Sequence, residues 1–264
     1  MSSSRNESET KPEELPFIAP TRRISPMAPF NWLKLGYLDF TMAPRQSATY
    51  GAIITAFVYL LTFLAYQYGS LSFLLTLGSG VMFLGPVLAF GLYSISRQIG
   101  MGLNPRLGYC FKEGRRHLGN ELVFAVLLLV VFLLWARAAS MIHIFYPQES
   151  DAGLQSYLTY LSVGTTVGAL FTLLIFAASA FSLPMFMDRK VDVVTAVLTS
   201  IHAVLRNKLA MLVWAAIILS SLVFGMLTGG LGLIVILPII GHATWHAYRN
   251  VVEADNWPHH SDNK

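Results

Sequence analysis

The sequence predicts an all-α polytopic membrane protein with six transmembrane helices, and three observations support this prediction. Hydrophobic residues make up 55% of the 264 residues and charged residues only 12%. The mean hydropathy is +0.57. Charged residues are absent from three long stretches, 46–96, 152–187 and 209–248. Soluble domains usually contain about 25% charged residues, so the composition excludes an ordinary soluble enzyme and indicates that the bilayer solvates much of the chain.

The first 28 residues predict a disordered cytoplasmic tail. They are polar, acidic in the middle and interrupted by four prolines, a composition too poor in apolar residues to form a core. No apolar segment follows a basic start, so we expect no cleavable signal peptide. The six-span membrane domain is predicted over residues 29–252, and residues 253–264 are predicted to form a short cytoplasmic tail.

Five of the spans follow from the lengths of the uncharged stretches, because a membrane helix needs about 20 apolar residues. The remaining span, 122–145, is an apolar run interrupted by Arg137. The first and last stretches are each long enough for two spans, with reversals near Gly69 and Gly229. The middle stretch is longer than one span needs, which predicts a tilt, a kink or a preceding interfacial stretch. The predicted spans are approximately 50–68, 72–95, 122–145, 160–187, 209–227 and 231–248.

The basic residues predict the orientation. Of the 18 Lys and Arg residues, all but Arg137 fall in the N-terminal region, in the loops near 96–120 and 188–208, or in the C-terminal tail. These segments alternate with loops that carry no basic residue. Because cytoplasmic loops are enriched in Lys and Arg, both termini are predicted to be cytoplasmic, in a bacterial inner membrane.

An amphipathic helix is predicted on the cytoplasmic side before each odd-numbered span. We expect these helices to turn their apolar faces toward the acyl chains and their basic residues toward anionic lipid headgroups. Lipid therefore explains the basic loops better than nucleic acid. The three apolar faces are Phe30, Leu33, Tyr37 and Phe40; Leu103, Leu107, Cys110 and Phe111; and Val191, Val194, Leu198, Ile201 and Leu205.

Short matches between segments indicate three repeated units, each an amphipathic helix followed by a hairpin of two spans. Leu35-Gly36-Tyr37 recurs as Leu107-Gly108-Tyr109 before the next span. Pro86 stands eleven residues before Arg97, and Pro238 stands eleven residues before Arg249. Recurrence at fixed positions is typical of repeated structural units.

Four stretches resemble the bacterial domain of unknown function 2189 family, over about residues 30–252. Its members are integral membrane proteins without an assigned activity, and some are labelled as cytochrome c oxidase subunit I. The resemblance therefore implies a polytopic membrane protein associated at most with respiratory complexes. The stretches are Trp-Leu-Lys-Leu-Gly-Tyr-Leu-Asp at 32–39, Gly-Leu-Tyr-Ser-Ile-Ser-Arg at 91–97, Ser-Leu-Pro-Met-Phe-Met-Asp-Arg at 182–189 and Leu-Pro followed by Gly-His-Ala-Thr-Trp-His-Ala-Tyr-Arg within 237–249.

His242 and His246 are the candidate cofactor or metal ligands. Their spacing places both on one face of the last helix, which suits a shared metal ion or one haem ligand. The alternative is that each imidazole bonds to neighbouring carbonyls or headgroups, beside an interfacial aromatic belt formed by Trp245 and Tyr248. This alternative is favoured, so no haem or metal is expected.

Arg137 is the one charge inside a predicted span. It lies about eight residues from the outer end of its helix, a distance of about 12 Å. A long side chain can extend most of that way toward the headgroups. Snorkelling or structural pairing is the favoured interpretation, and binding of a substrate or partner is the alternative.

Two further groups of residues are predicted to be structural. Asp188 and Arg189 follow the fourth span, where Pro184 ends or kinks the helix and Asp192 favours the start of the next one. We interpret this segment as a corner rather than a catalytic site. Asp39, Arg97 and Arg249 lie at equivalent predicted depths, which suggests an ion-pair network that joins the three units.

The sequence contains no metalloprotease, phosphate-binding or nucleophile-elbow motif. The favoured function is therefore a non-catalytic accessory, scaffold or assembly factor, possible partners being other membrane proteins such as respiratory complexes. A transporter or channel for a small or lipid-like solute is the alternative, with Arg137 as an anion contact. The third hypothesis is a haem- or metal-binding redox protein that uses His242 and His246.

Overall fold

A computed structural model describes residues 16–68, 85, 87–108, 118–142 and 153–259. These residues are helical apart from turns, loops and two isolated β-bridges, which confirms the all-α prediction. The helices are α1 (Ala28–Met42), α2 (Pro44–Tyr68), α3 (Phe90–Gly100), α4 (Leu118–Ile142), α5 (Leu154–Ser179), α6 (Ser182–Asp188), α7 (Val193–Arg206), α8 (Lys208–Leu227) and α9 (Leu233–Val251).

Four helical segments are long and apolar enough to cross a membrane: Pro44–Leu64, Leu122–Ile142, Leu154–Asp188 and Lys208–Leu227. They correspond to four of the six predicted spans. Most of the predicted span 72–95, including Pro86, lies outside the described residues. The predicted span 231–248 corresponds to α9, which is not among the four because its second half carries several polar residues.

The third of these segments is broken near Pro184. Helix α5 ends at Ser179 and α6 begins at Ser182, with Phe181 outside helical geometry at φ −122° and ψ −16°. Proline has no backbone N–H to donate to the carbonyl four residues earlier, and its ring crowds that carbonyl. The break at Ala180–Phe181 lies where this effect acts, so the predicted kink is confirmed.

Burial is concentrated at one end of the bundle. This packed end consists of α3, α6, α7, the C-terminal half of α9 and the chain segments that contact them. Every residue of α6 is buried there. By contrast, only 11% of the α4 span and 17% of the α2 span is buried, and both expose many large apolar side chains. The packed end therefore contains most of the buried polar side chains.

Helix α9 is the centre of the packing and contacts α1, α2, α3, α6 and α8. Glycines allow the closest approaches. A Cβ atom on Gly36 of α1 would lie 2.5 Å from the carbonyl oxygen of Ile239, and one on Gly51 of α2 would overlap the carbonyl oxygen of Ile234. The backbones thus touch directly, as small residues permit between membrane helices.

Helices α1 and α7 both expose large apolar residues; the buried residues of α7 are small or polar, and those of α1 include one large residue, Trp32. In α7 the buried face includes Thr199, Ser200 and Ala203, whereas Val194 and Leu198 are exposed. In α1 the buried face contains Trp32, Gly36 and Asp39, and Phe30 and Tyr37 are exposed. Most of the predicted apolar faces therefore point away from the protein, although Val191 is buried; the predicted face at Leu103–Phe111 lies partly outside the described residues.

Both predicted tails are too long. The N–H of Arg22 donates to the carbonyl of Val251 (2.8 Å), and the N–H of Glu253 donates to the carbonyl of Pro20 (2.9 Å). Further along, the N–H of Lys190 donates to the carbonyl of Pro258 (2.9 Å). Residues 19–25 and 252–259 thus belong to the packed end, because distant segments supply hydrogen-bond partners that local composition does not reveal. Both described ends of the chain lie at the same end of the bundle.

Replacing Gly36 with Ala is expected to lower the stability by about 1–3 kcal/mol, the usual cost of overpacking. The added methyl group would collide with the backbone of α9 rather than with a flexible side chain. Thermal unfolding of the purified protein in detergent measures the effect. Gly168→Ala is the matched control, since Gly168 is helical with nothing within 4 Å of the added Cβ. Equal unfolding temperatures for the two variants would contradict the packing described for Gly36.

Replacing Asp192 with Ala is expected to cost about 1 kcal/mol. Its carboxylate caps α7 by accepting from the Thr195 backbone N–H (3.0 Å) and hydroxyl (2.7 Å), which confirms its predicted role. Partial burial raises the pKa of Asp192, but these hydrogen bonds outweigh it and hold the pKa below the usual 3.8.

Because the pKa of Asp192 is depressed in the folded state, the stabilisation is present above its ordinary pKa and is lost as the pH falls through the folded value. Asp192→Asn should retain the cap and remove this pH dependence, as measured by thermal unfolding across the acidic range. An Asn variant as unstable as the Ala variant would argue against capping.

Candidate functional site

His242 is fully buried and joins three helices. Its Nε2 lies 2.9 Å from the hydroxyl of Ser47 in α2, and its Nδ1 lies 2.8 Å from the hydroxyl of Ser96 in α3. A neutral imidazole donates from one nitrogen and accepts at the other, and a hydroxyl can fill either role. Both ring nitrogens are therefore occupied, and in this arrangement neither has a lone pair directed toward a metal ion or haem iron.

His246 binds a different helix. Its Nε2 lies 2.8 Å from Oδ2 of Asp39 in α1, and the side chains are 24% and 8% exposed, respectively. The two histidines share one face of α9 but have separate partners. The described residues contain no group of three His, Cys, Asp or Glu side chains that could hold a metal ion.

Asp188 is the centre of a second buried cluster. Its Oδ2 accepts from the hydroxyl of Tyr248 (2.8 Å) and from Nε of Arg189 (3.1 Å), and Nη1 of Arg249 lies 3.4 Å away. The cationic groups offset the cost of burying the carboxylate. The tyrosine hydroxyl is the donor in this contact, because a carboxylate can only accept.

The same cluster holds the C-terminal segment. Arg189 is buried, and its Nη1 donates to the carbonyl of Trp257 (2.8 Å) while its Nη2 contacts Oδ1 of Asp255 (3.0 Å). The indole of Trp257 is itself buried. The interpretation of Asp188 and Arg189 as a structural corner therefore agrees with the geometry, and the corner connects α6, α9 and the chain end.

The predicted network of Asp39, Arg97 and Arg249 is wrong as a single cluster. Asp39 contacts His246, whereas Arg249 contacts Asp188. Arg97 is buried in α3. Asp39 and Arg249 thus have different partners, because α1 supplies the carboxylate next to His246 and α6 supplies the one next to Arg249.

The predicted aromatic belt at Trp245 and Tyr248 is also wrong. Both side chains are buried, and their ring centroids lie 5.7 Å apart within the core. Helix α9 is surrounded by other helices at this level, so its aromatic residues meet protein instead of headgroups. Arg137, by contrast, is exposed on α4, five residues before the last described residue of that helix. Its position agrees with a side chain that extends toward the headgroups.

The partners of the polar residues in α9 were not predicted from the sequence. Asp39, Ser47 and Ser96 come from three other helices. The indole Nε1 of Trp32 in α1 likewise donates to Oδ1 of Asn250 in α9 (3.1 Å). The available signal was the presence of small hydroxyl residues in largely apolar helices, which are candidates for hydrogen bonds between helices.

Residues 74–188 match the model of the family described as predicted integral membrane protein (DUF2189). This match confirms the resemblance over the stretches at 91–97 and 182–188, and the stretches at 32–39 and within 237–249 lie outside the matched segment. No curated protein and no solved structure matches the chain. Together with the four apolar helices, the match identifies an integral membrane protein. Ser96 and Asp188 fall within the matched segment, whereas both histidines of α9 lie beyond it.

Replacing Asp39 with Ala is expected to lower the stability by about 1–3 kcal/mol, because His246 loses its partner in the interface between α1 and α9. Thermal unfolding of the purified protein measures the loss. Asp39→Asn keeps one acceptor oxygen and should recover part of the stability.

The control for Asp39 is Glu253→Ala, which removes the contact with Arg22. That pair is 42% and 53% exposed and should contribute about 0–1 kcal/mol. If Asp39→Ala proved no more harmful than Glu253→Ala, the contact with His246 would not be what holds α1.

Proposed function

We propose that this integral membrane protein is a non-catalytic accessory, scaffold or assembly factor of the bacterial inner membrane. The proposal is supported by the buried polar groups, which hydrogen-bond to one another and thereby connect helices. Ser47, Ser96 and His242 are 0%, 2% and 0% exposed, and they bond to one another across three helices. A catalytic acid or base must reach its substrate, whereas these groups have the sealed geometry of a structural connection.

The topology proposed for this role has six spans in three hairpin units, with both termini in the cytoplasm. All but one of the 18 basic residues fall in segments assigned to one side. The contacts between residues 19–25 and 251–254 support an even number of crossings, because they bring the two ends of the chain together. The amphipathic helices before the odd-numbered spans would then lie at the cytoplasmic interface.

The surface available to a partner is apolar. Leu133 on α4, Leu173 on α5 and Leu219 on α8 are 57%, 59% and 60% exposed, respectively. Within a bilayer such faces contact either acyl chains or another membrane protein, and the role of a scaffold requires that one of them contact protein. The family resemblance makes respiratory complexes the first assemblies to test.

The two other functions receive less support from the geometry. A haem or metal at His242 would require the loss of one of its two serine contacts. A transporter that uses Arg137 as an anion contact would need this side chain in an enclosed polar path, whereas it is exposed on α4. An absorption spectrum and metal analysis of the purified protein test the first, and solute uptake by vesicles containing Arg137→Gln tests the second.

A photo-crosslinking residue introduced in turn at Leu133, Leu173 and Leu219 tests the scaffold proposal in native membranes. We expect a protein adduct of one defined mass from one face and mainly lipid adducts from the other two. The matched control is crosslinking after detergent solubilisation and dilution, because these steps dissociate weakly bound neighbouring proteins. Lipid adducts alone at all three positions, or a stoichiometric haem or metal in the purified protein, would contradict the proposal.

A further inference from the structure

The corner between α7 and α8 holds the N-terminal segment through one buried amide. Asn207 is 6% exposed; its Oδ1 accepts from the N–H of Ile24 (3.0 Å) and its Nδ2 donates to the carbonyl of Arg22 (2.9 Å). The Nδ2 group also lies 3.1 Å from the carbonyl of Ala203. The backbone of residues 22–24 is therefore fixed directly against this corner.

This contact brings basic side chains from two distant parts of the sequence together. Arg23 lies between the two residues that Asn207 binds, and Arg206 and Lys208 lie on either side of Asn207. All three basic residues are exposed. The carboxylate of Glu253 is already engaged by Arg22 at 2.6 Å. The corner therefore carries a concentrated positive charge.

Large apolar side chains adjoin these charges. Leu205, Leu209 and Met27 are 56%, 67% and 68% exposed. Leu205 continues the exposed apolar face of α7, which includes Val194 and Leu198. Basic groups beside an exposed apolar face are the arrangement by which interfacial helices bind anionic membranes. A free phosphate ion would use the charges but would have no use for the apolar residues.

We propose that this corner binds an anionic phospholipid, with Arg23, Arg206 and Lys208 around the phosphate and Leu205, Leu209 and Met27 against the acyl chains. Guanidinium groups suit the phosphate because they donate two parallel hydrogen bonds. The site goes beyond the proposed scaffold role and does not depend on it, since it requires only that the corner lie at the membrane surface.

The test uses the full-length protein in vesicles that contain equal amounts of phosphatidylglycerol and phosphatidylcholine. The protein is then extracted under mild conditions, and the lipids that it retains are measured. The wild-type protein should retain phosphatidylglycerol preferentially. The R206A/K208A variant should lose about five-fold in this preference for each charge removed. The K34A/R45A variant is the matched control, because it also removes two exposed basic residues, from α1 and α2, and it should keep the preference.

Three outcomes would overturn the proposal: equal retention of both lipids by the wild-type protein, equal losses in the two double variants, or displacement of phosphatidylglycerol by an equal concentration of inorganic phosphate. The second outcome would indicate diffuse attraction and the third a phosphate site. Thermal unfolding verifies that each variant is folded, and R206K/K208R should retain the preference. If R206A/K208A does not fold, Arg23→Gln provides the same comparison with one charge removed.

Discussion

The hydrogen bonds that bury the polar face of α9 are the constraint on which the rest of the packed end depends. His242, His246 and Tyr248 lie on one helix, and their partners come from α1, α2, α3 and α6. A buried polar group without a partner costs about 1–3 kcal/mol. Moving any of these four helices away from α9 would leave at least one such group unsatisfied, so the polar residues determine which helices are neighbours.

The bilayer also explains why α1 and α7 expose large apolar side chains. In a bilayer, large apolar side chains gain little by leaving lipid for the protein interior, so helix association relies on close packing and hydrogen bonds. Gly36 and Ser200 provide these at the buried faces: the glycine meets the backbone of α9, and the serine hydroxyl donates to the carbonyl of Ala177 (2.7 Å). Val194 and Leu198 remain outside. The same principle accounts for an apolar surface beside the basic corner at Asn207.

Local features were predictable where their causes are local. The predicted span 209–227 coincides with α8, Asp192 caps α7, and Pro184 stands four residues after a helix break. The failures involve long-range contacts. Trp245 resembles an interfacial anchor, but neighbouring helices cover it, and residues 19–25 resemble a tail until Val251, Asn207 and Glu253 provide their partners. A pattern along the chain contains no information about which distant segment will satisfy a given donor.

By itself the sequence determined that the protein is helical and lies in a membrane, where several of its helices begin and end, and which polar residues stand out against an apolar background. Each of these depends on composition or on neighbours within one helical turn. Only the tertiary structure decided that His242 and His246 have separate partners, that Arg249 contacts Asp188, and that basic residues from both halves of the chain meet at Asn207. Those outcomes depend on how helices distant in sequence cross, and the crossings are selected by the combined satisfaction of buried polar groups and the close approach at glycines.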